Sequence, residues 1–445
     1  MNKTALTKTY TKDIQNSCLN SKKIVLSLAA ISFSASCTHA TLTPEIETYE
    51  EANRHAKARS GISSKSSNNN KTISSLQNST QTVSNTGNTL VIESSGTITI
   101  SNGSQQAVNF TQGSSTSTFL NQGTLIGGNN AASVRLGANR NNGVTIETFD
   151  NQGIIGNGSS KFGVTVWGTN SSKSTINNFS NSGTIHSNAG ESIYFGNANI
   201  SSFVNSGTIK SNQGAGVNIS RGTSIENFNN TGTIEGKKDG IQINANVKTL
   251  KNTGTIKGDA ISIRLNGTID QLINEGIVDG ESAGIYMSRG RVKTLTNKGT
   301  INQNNSATWA AGIKLQNNST IENIINTGSI SSNAFGISVT GGKFGTLTIK
   351  DGGQVYAKYA AIGVGRSQTL GDLYIDGNSN NGRVSGIYSE EHGILLENNS
   401  RTQKIELKNG GIIKGKIDGI RLDNGASLSG EMILSGEGSR VEGGS

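Results

Sequence analysis

Gly280-Glu281-Ser282-Ala283-Gly284 has the G-x-S-x-G spacing that lifts a nucleophilic serine onto a sharp strand-to-helix turn, where a histidine and an acid complete acyl-transfer chemistry. Its surroundings predict a plain corner between two short strands instead, because Gly236-Lys237-Lys238-Asp239-Gly240 holds the same place in a neighbouring repeat. His55, His186 and His392 stand far apart in the chain, so neither a triad nor a metal-ligand cluster is expected. Glycan cleavage needs carboxylates converging on one face, to supply acid and base or to hold a cation. Asp239, Asp418 and Asp423 instead adjoin glycines, in Asp239-Gly240-Ile241, Asp418-Gly419-Ile420 and Asp423-Asn424-Gly425, where aspartate serves as a turn residue. Asp239 and Asp418 fall many repeats apart, too far to share a site. Glu390-Glu391-His392 is the densest acidic stretch carrying a histidine and reads as an irregular loop. No catalytic, cofactor-binding or metal residues are therefore assigned. Exposed aromatics can serve as platforms for sugars, and Trp167, Trp309, Tyr286, Tyr356, Tyr359 and Tyr388 are the candidates for that role.

The elements that must position these groups follow from a repeat. Asparagine stands two residues before glycine at Asn121, Asn151, Asn181, Asn205, Asn230, Asn252, Asn274, Asn297 and Asn326. Those glycines, Gly123, Gly153, Gly183, Gly207, Gly232, Gly254, Gly276, Gly299 and Gly328, are separated by 30, 30, 24, 25, 22, 22, 23 and 29 residues. Four residues before each glycine the side chain is large and apolar: Phe119, Phe149, Phe179, Phe203 and Phe228, then Leu250, Leu272, Leu295 and Ile324. Between glycines runs a further alternating segment, as in Ile241-Gln242-Ile243. Period-two alternation marks half-buried strands, and Gly and Asn tolerate the positive φ of corners. Three short strands per repeat, recurring at this period, predict an all-β, single-chain parallel β-helix solenoid, right-handed by analogy with related folds. About a dozen coils, stacked at about 4.8 Å, would make it roughly 55 to 65 Å long. The nine asparagines are expected to stack as a structural ladder of amides.

Composition agrees with so thin a core, since only 32% of the 445 residues are hydrophobic. The formal charge of +9 raises the question of nucleic acid, but the charges are dispersed. Lys210, Glu235, Lys257 and Asp279 alternate in sign at one repeat position, which suits pairing between adjacent rungs. No nucleic-acid partner is expected. At the N-terminus Lys22-Lys23 precede an apolar run from Ile24 to Phe33 and the small residues up to Ala40, the pattern of a secretory signal with an extended n-region. The expected organisation is a signal over residues 1–40, a short helix over 41–59, a flexible linker over 60–81 and the β-helix over 82–445. Thr43 and Pro44 are suited to cap and open the helix. Both cysteines, Cys18 and Cys37, fall inside the signal. Cys37 follows Ser34-Ala35-Ser36, small residues that suit lipidation, although the large apolar residue usual three places before the cysteine is missing.

An extended signal leading into an Asn-x-Gly-Thr-Ile solenoid resembles the passenger region of Campylobacter-type autotransporter adhesins. The resemblance implies a non-enzymatic passenger at the cell surface or outer membrane, or secreted, that binds a host-cell receptor or glycan. It also implies an outer-membrane translocator barrel, whose alternating strands are not recognisable here, so that a periplasmic location or a truncated remnant follows if the barrel is truly missing. A secreted polysaccharide-degrading β-helix enzyme is the alternative.

Overall fold

Alternate residues bury one side of the short strands, as in Thr184–Ser187, where Ile185 and Ser187 are buried, whereas the longer Thr145–Asn151 buries Ile146, Phe149 and Asn151 with one break in the alternation. The computed structural model describes residues 70–444 apart from 85, 138–142, 308–309 and 379–381. The segments expected as signal and short helix, with Cys18, Cys37, Pro44 and His55, and also Trp309, lie outside the described residues. Every described element is a strand, and every pairing is parallel between equivalent strands of successive coils. Three long sheets of 15, 15 and 14 strands result, each taking every third strand of most of the chain, with a fourth of 3 short strands, Thr369–Leu370, Arg401–Thr402 and Ser427–Leu428, near its end. The chain is thus a parallel β-solenoid.

The first face holds the strands that end in the repeat asparagine, such as Ser174–Asn181, Ala198–Asn205 and Ser224–Asn230. The second face follows directly, for example Thr184–Ser187 and Thr208–Ser211, and the third carries Ile193–Gly196, Val217–Ile219 and Asp239–Ile243. Register places Phe149, Phe179, Phe203 and Phe228 opposite one another. Their rings stack at 4.5, 5.0 and 4.2 Å with interplanar angles of 7°, 12° and 18°. Phe195, inward from the third face, meets Phe179 and Phe203 edge-on, the arrangement that sets ring edges against ring faces.

Beside the phenylalanines runs the amide column. Asn121 Nδ2 donates to Asn151 Oδ1 at 2.7 Å, Asn151 to Asn181 at 2.7 Å, and so on to Asn297 and Asn326 at 2.8 Å. Each of these amides also donates to the carbonyl of its own repeat glycine, as Asn230 does to Gly232 at 3.1 Å. All point the same way along the axis, so the first member is left over: Asn121 Oδ1 is buried without a partner, because the preceding rung presents Ile92. Beyond Asn326 the column becomes apolar through Ile349, Ile375 and Leu407.

Two sequence expectations change. The nine repeat glycines do not occupy positive φ; they are required by contact, since a Cβ on Gly207 would stand 2.1 Å from the Gly183 carbonyl oxygen of the rung before. Positive φ falls mostly at the corner from the third face to the first, at residues such as Asn197, Gly222 and Asn318, and in a few coils at other corners, as at Gly156 and Gly352. Second, the array begins inside the expected linker, with Lys71–Ile73, Leu76–Gln77 and Gln81–Val83 forming its first coil. Ser, Thr and Asn also fill the outer faces of true coils, so composition could not separate an end coil from a linker. Against a dozen coils, fifteen strands in each of two sheets make fourteen steps, about 67 Å at about 4.8 Å each.

Candidate functional site

Corner length varies more than anything else in this solenoid, and three successive corners create a cleft. On the third face the strands Phe162–Trp167 and Ile193–Gly196 pair with Thr165 opposite Tyr194 and Trp167 opposite Gly196. Val164, Val166, Ile193 and Phe195 are wholly buried, which by alternation turns Trp167 and Tyr194 outward. Gly196 gives their rings room, for a Cβ there would lie 2.8 Å from Tyr194 Cε1 and 3.3 Å from Trp167 Cε3. The two rings lie 4.4 Å apart at 36°. From the third face to the first, the chain then crosses in six residues after Trp167, in the single residue Asn197 after Gly196, and in four residues after Ile219.

A short corner between two long ones leaves a depression of about 400 Å³, a size typical of small-ligand sites. The aromatic pair lines it together with Asn170 and Thr169 of the long corner and Ser220 and Arg221 of the next. Each wall is held internally: Thr169 N donates to Ser172 O at 2.9 Å, and Thr223 N to Ser220 O at 3.2 Å. Asn197 joins the corners, donating from Nδ2 to Gly168 O at 3.4 Å and from its backbone N to Arg221 O at 3.4 Å. Arg221 is exposed and, among the described residues, carries no ion pair. The lining therefore offers an apolar ring platform, amide and hydroxyl groups and one guanidinium, with no carboxylate.

The residues singled out by sequence are distributed otherwise. The G-x-S-x-G string is a corner: Gly280 closes Ile277–Gly280 on the second face and Ala283 opens Ala283–Ser288 on the third. His186 meets only an amide, with Nε2 2.9 Å from Asn212 Oδ1. His392 is not in an irregular loop; it opens the third-face strand His392–Leu396, 2% exposed, with Ala360 on the rung before and Asp418 on the rung after. Asp418 Oδ2 lies 2.9 Å from His392 Nδ1, yet that nitrogen makes no hydrogen bond, the carboxylate standing off the direction such a bond needs. Arg421 covers the group, with Nη1 3.4 Å from His392 Nε2 and Nε 2.7 Å from Asp423 Oδ2. Asp418 thus lies against the buried imidazole, while Asp423 is tied to it only through Arg421. Asp239 lies far along the same sheet, gripped at both oxygens by Arg264 at 2.8 and 3.1 Å.

Of the described candidate aromatics, Trp167 lines the cleft and the tyrosines hold local contacts. Tyr286 donates to Gln316 Oε1 at 3.1 Å, and Tyr359 packs edge-on against Phe335 and His392. Tyr356 donates to Glu390 at 2.5 Å, a bond that pushes the phenol up to about 12 and holds the Glu390 carboxyl below its ordinary value. Burial pushes Tyr388 up. Sequence reasoning missed Tyr194 and Arg221. The outward parity of Tyr194 in Ile193-Tyr194-Phe195 was the available signal, whereas Arg221 becomes meaningful only once the corners are aligned.

The fold defines a class, the parallel β-solenoid with an internal asparagine ladder. No family profile, no curated protein and no solved structure matches the chain.

Proposed function

We propose that this chain is a non-enzymatic binding scaffold, exported to the cell surface or beyond as an autotransporter passenger, and that it contacts a host-cell glycan through its third face. The observation that carries the reading is the Trp167–Tyr194 pair, turned outward over a floor cleared by Gly196 and walled by corner loops. The C–H face of a sugar ring is apolar and electropositive, and suits the negative face of an aromatic ring. A rigid array supports this role because it holds the platform on strands rather than on loops. An outer-membrane translocator barrel is the partner that would deliver it.

Binding of the purified full chain to epithelial cells and to immobilised glycans tests the proposal, with Trp167→Ala as the comparison. Saturable binding that falls at least about tenfold in the variant is expected, the scale of losing a central aromatic contact. Absence of binding overturns it, and so does release of shortened oligosaccharides from a soluble polysaccharide, which would reveal a degrading enzyme.

A further inference from the structure

Resting on the reading of this cleft as the contact site, we infer that its ligand is an acidic sugar, a pyranose unit bearing a carboxylate. The only charged side chain lining the cleft is that of Arg221, and no acidic group lines it to repel an anion. A guanidinium without an ion pair at the wall of an open cleft is a ready partner for a planar carboxylate, which it can hold through two parallel hydrogen bonds. The two requirements of such a ligand line the same space. Trp167 and Tyr194, packed on each other 4.4 Å apart at 36°, supply the aromatic surface, while Arg221 stands on the turn two coils beyond Trp167, in Ser220-Arg221-Gly222.

The position of Arg221 is set by its neighbours. Gly222 takes φ +78°, and a Cβ there would lie 1.9 Å from Asn197 Oδ1, so glycine lets the turn close against the Asn197 side chain. Asn197, itself at φ +51°, accepts that strain and ties the turn to Gly168 at the other rim. Asn170 and Ser220 remain at the rims to meet ring hydroxyls. A neutral sugar can use the floor and the rims but leaves the guanidinium without a partner, and specificity follows from that difference. The net charge of +9 draws an anion toward the chain without choosing the site.

The test uses the full chain carrying Trp309→Phe, so that Trp167 is its sole tryptophan, and follows fluorescence during titration. The probes are sialyllactose against lactose and trigalacturonate against its methyl ester, which separates sialic from uronic acid as the source of the carboxylate. At least one acidic probe is expected to bind about tenfold or more tightly than its neutral counterpart, and Arg221→Gln to abolish that preference, the scale of a hydrogen bond to a charged group. Raising salt shrinks the preference. Equal binding of acidic and neutral probes, with Arg221→Gln silent, overturns the acidic assignment while leaving the cleft a sugar site. Acidic binding insensitive to Arg221→Gln by fluorescence, and to Trp167→Ala by titration calorimetry because that variant keeps no tryptophan, places the ligand elsewhere and overturns the assignment too. Failure of every probe and of the glycan surfaces to bind removes the assignment and the underlying reading together. Circular dichroism of each variant guards against misfolding, and Arg221, exposed on a turn, is a substitution the array tolerates.

Discussion

A single asparagine shows how directional the amide column is. Asn230 accepts from Asn205 at 2.7 Å and donates to Asn252 at 2.8 Å, so Asn230→Ala leaves Asn252 Oδ1 buried with no donor. Asn121→Ala strands Asn151 Oδ1 in the same way but also removes an oxygen that already lacks a partner. The two variants therefore differ by one unsatisfied buried acceptor, and Asn230→Ala is expected to be less stable than Asn121→Ala by about 1–3 kcal/mol in urea unfolding. Equal losses would mean that the column contributes no directionality. Charge acts at the same scale. Lys298 and Lys251 bond Glu275 at 2.8 and 3.0 Å, and the Lys298 bond, above all, holds its carboxyl below the ordinary 4.5 against the opposing effect of burial. A carboxyl whose folded value is depressed stabilises above the unfolded value and loses that contribution as pH falls toward the folded one. Stability should accordingly decline as pH falls below about 4.5, and Glu275→Gln should flatten the decline in urea midpoints measured across that range. The other exposed pairs, such as Lys210 with Glu235 at 3.3 Å, are worth little individually.

At the level of the coil, the repeat glycine is the most intolerant position. Gly207→Ala sets a methyl 2.1 Å from a backbone oxygen that the next coil holds in place, so neither side can move cheaply. A loss of about 3 kcal/mol, the upper range for overpacking, is expected in thermal or urea unfolding, and a neutral outcome would show that the corner relaxes. This is also where the sequence was most readable and where its physical cause was misread. The fixed offsets of Asn, Gly and Phe from one another required a stacked array, and the Phe column follows from them directly. The glycine itself was ascribed to backbone conformation, because close approach between coils is visible only after they are stacked. The first coil was hidden since Ile73 and Val83 bury their side chains without any Asn-x-Gly marker beside them. His392 and Asp418 were judged separately, although His392-Gly393-Ile394 and Asp418-Gly419-Ile420 share a repeat position, the clue that one sits over the other. The cleft was the least legible feature, for Trp167 and Tyr194 meet on a diagonal between rungs and the walls depend on the unequal lengths of three corners.

Over the whole array, each coil touches mainly its neighbours, so stability is close to a sum over coils. Deleting residues 232–253, the 22 residues from one repeat glycine to the next, should leave a folded solenoid one rung shorter. It brings Lys210 beside Lys257, a like-charged contact costing up to about 1 kcal/mol, small against the packing of the rejoined coils. Deleting half that length puts the strands at the junction out of register and should lower the urea midpoint more than the whole-coil deletion does, while the coils on either side keep their β spectrum in circular dichroism. The strand ladders have a further consequence. Their hydrogen bonds run from coil to coil along the axis, so tension applied between the first and last coils falls on one coil-to-coil seam after another. Each rupture between Gly123 and Gly328 would pay out a single repeat of 22 to 30 residues, about 70 to 110 Å of slack at about 3.3–3.6 Å per residue. Pulled in an optical trap, the molecule should yield in a train of small steps instead of one collapse, lengthening like a yielding tether while the coils still closed keep their grip.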